Sequence, residues 1–244
     1  MQRKMGQIRL YIPQQLAPEE SLFLDEKQSH YLSHVMKIKE KEQINCFDNQ
    51  SGEYLCEITE ITKKHCGIKV IKQLKPYYQT PDIWLLFSPV KKDNTDFILQ
   101  KATELGVRQI VPVITRYTIT DKINKERFVA QTIEASEQCR RTDLPKIEDA
   151  IRFERLLEKW DKNRKIYYMD ETLKGVSVQQ AFEKKTTPCA IMVGPEGGFA
   201  AEELEQLRKQ KFTQGVMLGP RILRAETAVV AALSCWQGLN GDWK

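Results

Sequence analysis

No two cysteines in this sequence are spaced Cys-x-x-Cys. The six that occur, Cys46, Cys56, Cys66, Cys139, Cys189 and Cys235, are scattered along the chain, which argues against zinc ribbons and dithiol redox motifs. Cys46, Cys56 and Cys189 fall in apolar, strand-like runs, so buried free thiols in a reducing compartment are expected. There are only three histidines, His30, His34 and His65. All lie in the N-terminal third, which leaves no compelling Ser-His-Asp or Cys-His arrangement. His30 and His34 are four apart, a spacing that can hold a metal, but the nearest candidates for a third ligand are His65 and Cys66. A polar helix face is the stronger reading, and no metal is expected. Neither G-x-x-x-x-G-K-[ST] nor G-x-G-x-x-G occurs, which weakens kinase and dehydrogenase readings. No apolar run approaches the ~20 residues that span a bilayer. The charged start, Met1-Gln2-Arg3-Lys4-Met5, has no apolar core behind it and does not read as a signal peptide. A cytoplasmic protein without membrane partners is expected.

What is present is an ordinary globular composition, 41% hydrophobic and 29% charged, with a formal net charge of +5. That charge suits a polyanionic partner and suits solubility equally well.

The chain has two textures. Residues 1–74 read mostly as strand: 42–48, then a turn at Asn49-Gln50-Ser51-Gly52, then alternating runs at 53–61 and 67–74. One short helix is predicted over 26–36, with Tyr31, Leu32 and Val35 on one face. Short strands and tight turns point to a small β-barrel. Residues 75–81, with two prolines, read as a linker. From 82 to 244 strands and helices alternate: strands at 83–87, 109–114, 165–169, 189–193 and 215–218, helices at 93–105, 125–141, 201–210 and 225–237. This order predicts an α/β domain with a mostly parallel sheet covered on both faces.

Two strand-ending loops stand out. Gly194-Pro195-Glu196-Gly197-Gly198-Phe199 follows the apolar run Cys189–Val193 and precedes a helix. Its small residues let a ligand approach the backbone, at the strand end where ligands of open α/β sheets sit. A plain structural turn is the alternative. Leu218-Gly219-Pro220-Arg221-Ile222-Leu223-Arg224 ends a second strand and runs into Ala225-Glu226-Thr227-Ala228. Its Ile222 and Leu223 suit the apolar wall of an adenine pocket, whereas Arg221 and Arg224 by themselves read as surface charges. Glu134-Ala135-Ser136-Glu137-Gln138-Cys139-Arg140-Arg141 presents a polar helix face, ordinarily a solvated one.

Together with Gln100-Lys101-Ala102-Thr103-Glu104-Leu105-Gly106-Val107, Glu134–Cys139 with Arg141 and Pro145, Val193–Phe199, and Leu218–Ala228, the sequence resembles the ribosomal RNA small subunit methyltransferase E family of the SPOUT class over nearly its whole length. The resemblance implies a C-terminal trefoil-knotted methyltransferase domain over 82–244 and an N-terminal PUA-like barrel over 1–74 that binds RNA. It implies a homodimer, the donor S-adenosylmethionine, and N3-methylation of a uridine in 16S rRNA or the small ribosomal subunit. A SPOUT enzyme acting on another position, such as a ribose 2′-hydroxyl, and a non-enzymatic RNA-binding protein are the alternatives. On this reading the donor lies between Gly194, Pro195, Glu196, Gly197 and Gly198 on one side and Met217, Leu218, Gly219, Ile222 and Leu223 on the other. Arg224 is the first candidate to stabilise a uracil anion, and Arg141 the second, acting from a partner subunit. Glu226 is a base or merely a favourable charge at a helix start, the latter preferred. Arg3, Arg9, Lys37 and Lys91 are candidates for contacts to RNA phosphates.

Overall fold

A computed structural model describes residues 8–62, 65–120, 123–183 and 187–243. The candidate Arg3 lies outside the described residues. The chain divides into two compact units, residues up to 79 with 136–144, and residues 80–135 with 145 onward.

The first unit is a five-stranded sheet. Its elements are β1 (Arg9–Tyr11), β2 (Ser21–Phe23), α1 (Glu26–His30) running into a π-helical turn (Tyr31–Met36), β3 (Gln43–Phe47), β4 (Gly52–Ile61) and β5 (Cys66–Pro76). The strand order is β1-β3-β4-β5-β2, with β1 parallel to β3 and the other pairs antiparallel. Register shifts along β4 and β5 bend this long ribbon. Alternate residues Ile44, Cys46, Cys56, Ile58, Ile68 and Val70 point to one side and form the core with Leu10 and Leu32. In the turn before β4, the Asp48 carboxylate accepts from the backbone N–H groups of Leu16 and Gln50 at 2.6 and 2.8 Å, and from Ser51. Burial works to raise the Asp48 carboxyl, and these bonds outweigh it and hold the group below its ordinary range. β5 continues through Lys75 and Pro76, which the sequence assigns to a linker, because they pair with Glu53 and Gly52. Gly52 has φ +117°, and a Cβ there would press on the backbone of Lys75 and Pro76.

Two sequence candidates in this unit have buried, committed side chains. Arg9 is a correction to the reading as an RNA contact. Its guanidinium pairs with Glu53 at 3.1 Å, donates to the Ser136 and Arg141 carbonyls at 2.6 Å, and stacks 3.7 Å over the Phe47 ring. Only 6% of the side chain is exposed, so no phosphate can reach it. Arg141 makes a two-pronged pair with Asp143 at 2.9 Å and is 7% exposed. Lys37, by contrast, is exposed at the end of the π turn. The His30 and His34 rings stack in parallel, 4.4 Å apart. Among the described residues no group of three or more His, Cys, Asp or Glu is placed to hold a metal.

The second unit is a parallel sheet covered on both faces. Its strands are β6 (Ile83–Phe87), β7 (Gln109–Ile114), β8 (Lys146–Ile147), β9 (Ile151–Arg152), β10 (Lys165–Met169), β11 (Val176–Ser177), β12 (Cys189–Val193) and β13 (Thr213–Met217). Their order is β11-β13-β10-β12-β6-β7-β8, with β9 also paired to β7. The helices are α2 (Lys92–Glu104), α3 (Lys125–Cys139), α4 (Phe153–Lys159), α5 (Val178–Phe182), α6 (Ala201–Lys209) and α7 (Ala225–Leu239). Every residue of β12 is buried, as expected of a central parallel strand. Alternation divides its side chains between two cores. Cys189, Ile191 and Val193 pack with α2 and α7 residues such as Leu99, Val229 and Trp236. Ala190 and Met192 pack with Leu156 of α4 and with Leu204 and Leu207 of α6. Burial pushes the Cys189 thiol up to about 12, so it behaves as a small apolar filler. Among the described residues no helix is long and apolar enough to cross a membrane.

Candidate functional site

The carboxyl ends of five adjacent strands, β13, β10, β12, β6 and β7, send their loops to one edge of the parallel sheet. These loops enclose a cavity of about 640 Å3, a size suited to a small organic ligand.

The loop after β12 supplies Gly194, Pro195, Glu196 and Gly198 to the lining. The Gly198 N–H donates to the Pro195 carbonyl at 2.9 Å, which closes a tight turn. Gly198 has φ +70°, and a Cβ on it would strike the Glu171 carboxylate. Glu171, itself a lining residue, accepts from the Phe199 N–H at 3.0 Å and so fixes the end of the turn. At the start of α6 the buried Glu203 carboxylate accepts from the Ala200 N–H and from the Arg116 N–H, both at 2.8 Å. One side chain therefore holds the loop after β12 and the loop after β7 in a fixed relation. Gly197 does not line the cavity. A Cβ on it would come within 3.1 Å of Tyr117, so its smallness seats that aromatic residue instead.

The loop after β13 supplies Leu218, Gly219, Arg221, Ile222, Leu223 and Arg224. Leu218 and Leu223 also pack against the core beneath, whereas Ile222 is 79% exposed. Gly219 has φ +102° with none of the described residues within 4 Å of its would-be Cβ, so its backbone conformation, not crowding, calls for glycine. Val216 lines the cavity and Met217 does not, because successive strand residues point to opposite faces. Residues of both glycine loops thus line one cavity, and Met217 and Gly197 are not among them.

Sequence reading missed the loop after β10. Met169, Asp170, Glu171 and Leu173 all line the cavity. Asp170 is buried, accepts from Thr172 N and Oγ at 2.9 and 2.6 Å, and pairs with Arg208 at 3.3 Å. The signal was available: Asp-Glu-Thr directly follows an apolar strand, at the end where such sheets bind ligands. Lys91, Asn94 and Ile119 complete the wall. Arg224 is exposed at the amino end of α7 and lines the cavity, as does Glu226, one of whose carboxylate oxygens is buried with no hydrogen-bond partner among the described residues. Arg141 is not among the lining residues, all of which belong to the second unit.

Residues 78–237 match the family model of an RNA methyltransferase domain, and residues 24–71 that of an RNA methyltransferase PUA domain. The chain is 33% identical to the ribosomal RNA small subunit methyltransferase E of Rickettsia conorii, with 93% of each chain covered. It is 30% identical to that of Bacillus subtilis, with 91% of each covered. The chain belongs to the ribosomal RNA small subunit methyltransferase E family. The crystal structure of the Neisseria gonorrhoeae methyltransferase E, bound to S-adenosyl methionine, superimposes with a TM-score of 0.87 at 29% identity. It covers 97% of this chain and 99% of that one. A methyltransferase from Legionella pneumophila in complex with the same cofactor gives 0.87 at 28% identity. Membership in the methyltransferase E family places an RNA methyltransferase domain on the unit that carries the cavity.

Proposed function

We propose that this chain transfers a methyl group from S-adenosylmethionine to N3 of a uridine in 16S rRNA of the small ribosomal subunit. It works in the cytoplasm as a homodimer whose C-terminal chain is threaded as a trefoil knot. The observation that supports this most directly is the single cavity built from the two glycine loops at the carboxyl edge of the sheet.

The lining suits the donor. Leu218, Leu223, Val193 and Val216 offer apolar surface, and Gly194, Gly198 and Gly219 leave backbone groups open to close approach. Carboxylates outnumber cations, with Asp170, Glu171, Glu196 and Glu226 against Lys91, Arg221 and Arg224. That balance favours a ligand carrying a sulfonium and an ammonium group. When bound, S-adenosylmethionine supplies a methyl group on a good leaving group. The chain's own task is to hold the acceptor in line and to exclude competing water. Uracil N3 must lose a proton, and the resulting charge spreads onto the ring oxygens. Arg224, at the cavity rim, stabilises that charge. Glu226 is the candidate to receive the proton, since it lines the cavity and one of its carboxylate oxygens is buried without a hydrogen-bond partner among the described residues. Arg141, held by Asp143, is assigned a structural part.

The test is methylation of small-subunit rRNA by the purified protein with isotope-labelled donor, followed by nuclease digestion and mass spectrometry. N3-methyluridine is the expected product. Label on a ribose 2′-oxygen or on another base would overturn the assignment of the acceptor atom.

A further inference from the structure

A second, smaller cavity of about 380 Å3 adjoins the first and shares Lys91 and Ile119 with it. Its electrostatic character is opposite. Lys91, Lys92 and Arg127 line it, and among the described residues no carboxylate does. Asp96 pairs with Arg127 at 3.0 Å and with Lys92 at 4.0 Å, so among the described residues cations still outnumber carboxylates at this site. Lys91 makes no ion pair among the described residues. The neutral polar groups are also arranged as donors. Asn124 uses its carbonyl oxygen to accept from the Arg127 N–H at 2.9 Å, which leaves its amide N–H groups available. The Thr95 hydroxyl is spent on the Val90 backbone, at 2.9 and 3.1 Å, and only shapes the floor. The amino ends of α2 and α3, helices of 13 and 15 residues, both open onto this cavity, at Lys92 and beside Asn124. Their dipoles add to the positive potential.

A group that only accepts hydrogen bonds and carries negative charge fits such a lining. We propose that this cavity holds the RNA on the acceptor side, with a phosphodiester next to the target nucleotide seated against Lys91, Lys92 and Arg127. The inference rests on reading the larger cavity as the donor site. Two joined cavities of opposite character then keep donor and acceptor apart except where Lys91 and Ile119 bridge them. Lys91 was suspected from sequence alone, whereas Lys92 and Arg127 are identified by the cavity.

The test uses the full chain, small-subunit rRNA as the probe, and the variants Lys92→Ala and Lys92→Ala with Arg127→Gln. RNA affinity is measured across a salt series, and donor affinity by calorimetry. Each lost phosphate contact should make the log–log salt dependence shallower by roughly 0.7–0.9, with donor affinity unchanged. Lys92 is 71% exposed on its side chain, so Lys92→Ala keeps the test valid if the double variant folds poorly. A salt dependence equal to wild type in Lys92→Ala would overturn the proposal. So would a fall in donor affinity matching the fall in RNA affinity, since that would put these cations in the donor site. Failure of the donor reading itself shows separately, as absent donor binding in the wild type, because the salt dependence is measured without turnover.

Discussion

At the scale of single residues, the charged groups divide by what surrounds them. Arg9 and Arg224 are both arginines near motif residues, yet one is walled in and the other open to the cavity. Arg9→Ala would strand the Glu53 carboxylate, 3% exposed, with Asn45 at 2.7 Å and Lys75 at 3.8 Å as remaining partners. A loss of about 3–5 kcal/mol is expected in denaturant unfolding, with the salt dependence of RNA binding unchanged. Asp82 carries a pH signature. Burial works to raise its carboxyl, but hydrogen bonds and charge from Arg164, with Arg108 and Trp84, hold it below its ordinary value of 3.8. The Arg164 pair is 2.8 Å long. A depressed carboxyl contributes stability above its unfolded pKa and loses it as pH falls through the folded one. Stability of the second unit should therefore drop below about pH 4. Asp82→Asn should lower stability at neutral pH and flatten that acid limb, read by thermal unfolding across pH.

At the scale of elements, what periodicity can register was legible and what it cannot was not. The strands 83–87, 109–114, 165–169 and 189–193 lie where the apolar runs put them, because each is long enough to show a run or an alternation. β8, β9 and β11 have two residues each, and β1 and β2 have three. Such strands exist only through pairing with distant neighbours. The helix predicted over 26–36 begins as α-helix and widens into a π turn. There Ser33 Oγ donates to the Ser29 carbonyl at 2.8 Å, a local competition that the apolar spacing does not reveal. The glycine loops were legible as loops, but which glycines face the ligand depends on strand phase and on Tyr117. The loop after β10 was missed because its Asp170 and Glu171 look like ordinary surface acids in a linear reading. Gly219 supplies a prediction at this scale. Gly219→Ala forces a side chain into a φ of +102° and should cost roughly 1–3 kcal/mol locally. Because none of the described residues crowds that position, the fold should survive while donor affinity falls, which calorimetry and circular dichroism together would show.

At the scale of the whole molecule, the second unit carries its candidate chemistry on short loops pinned at one edge of a packed sheet. Glu203 ties two of them, Glu171 ties a third, and the apolar cores beneath fix the strand ends they leave. Ties of this kind limit the ordering cost of binding. Donor at a hundred times its Kd should stabilise the unit by about 2.7 kcal/mol through mass action. The most direct test of the account is hydrogen exchange of the intact protein with and without S-adenosylmethionine. Protection confined to residues 170–173, 194–199 and 218–224 is predicted. Unchanged exchange at those three loops at saturating donor, or protection elsewhere alone, would contradict the claim that they form the methyl-donor site.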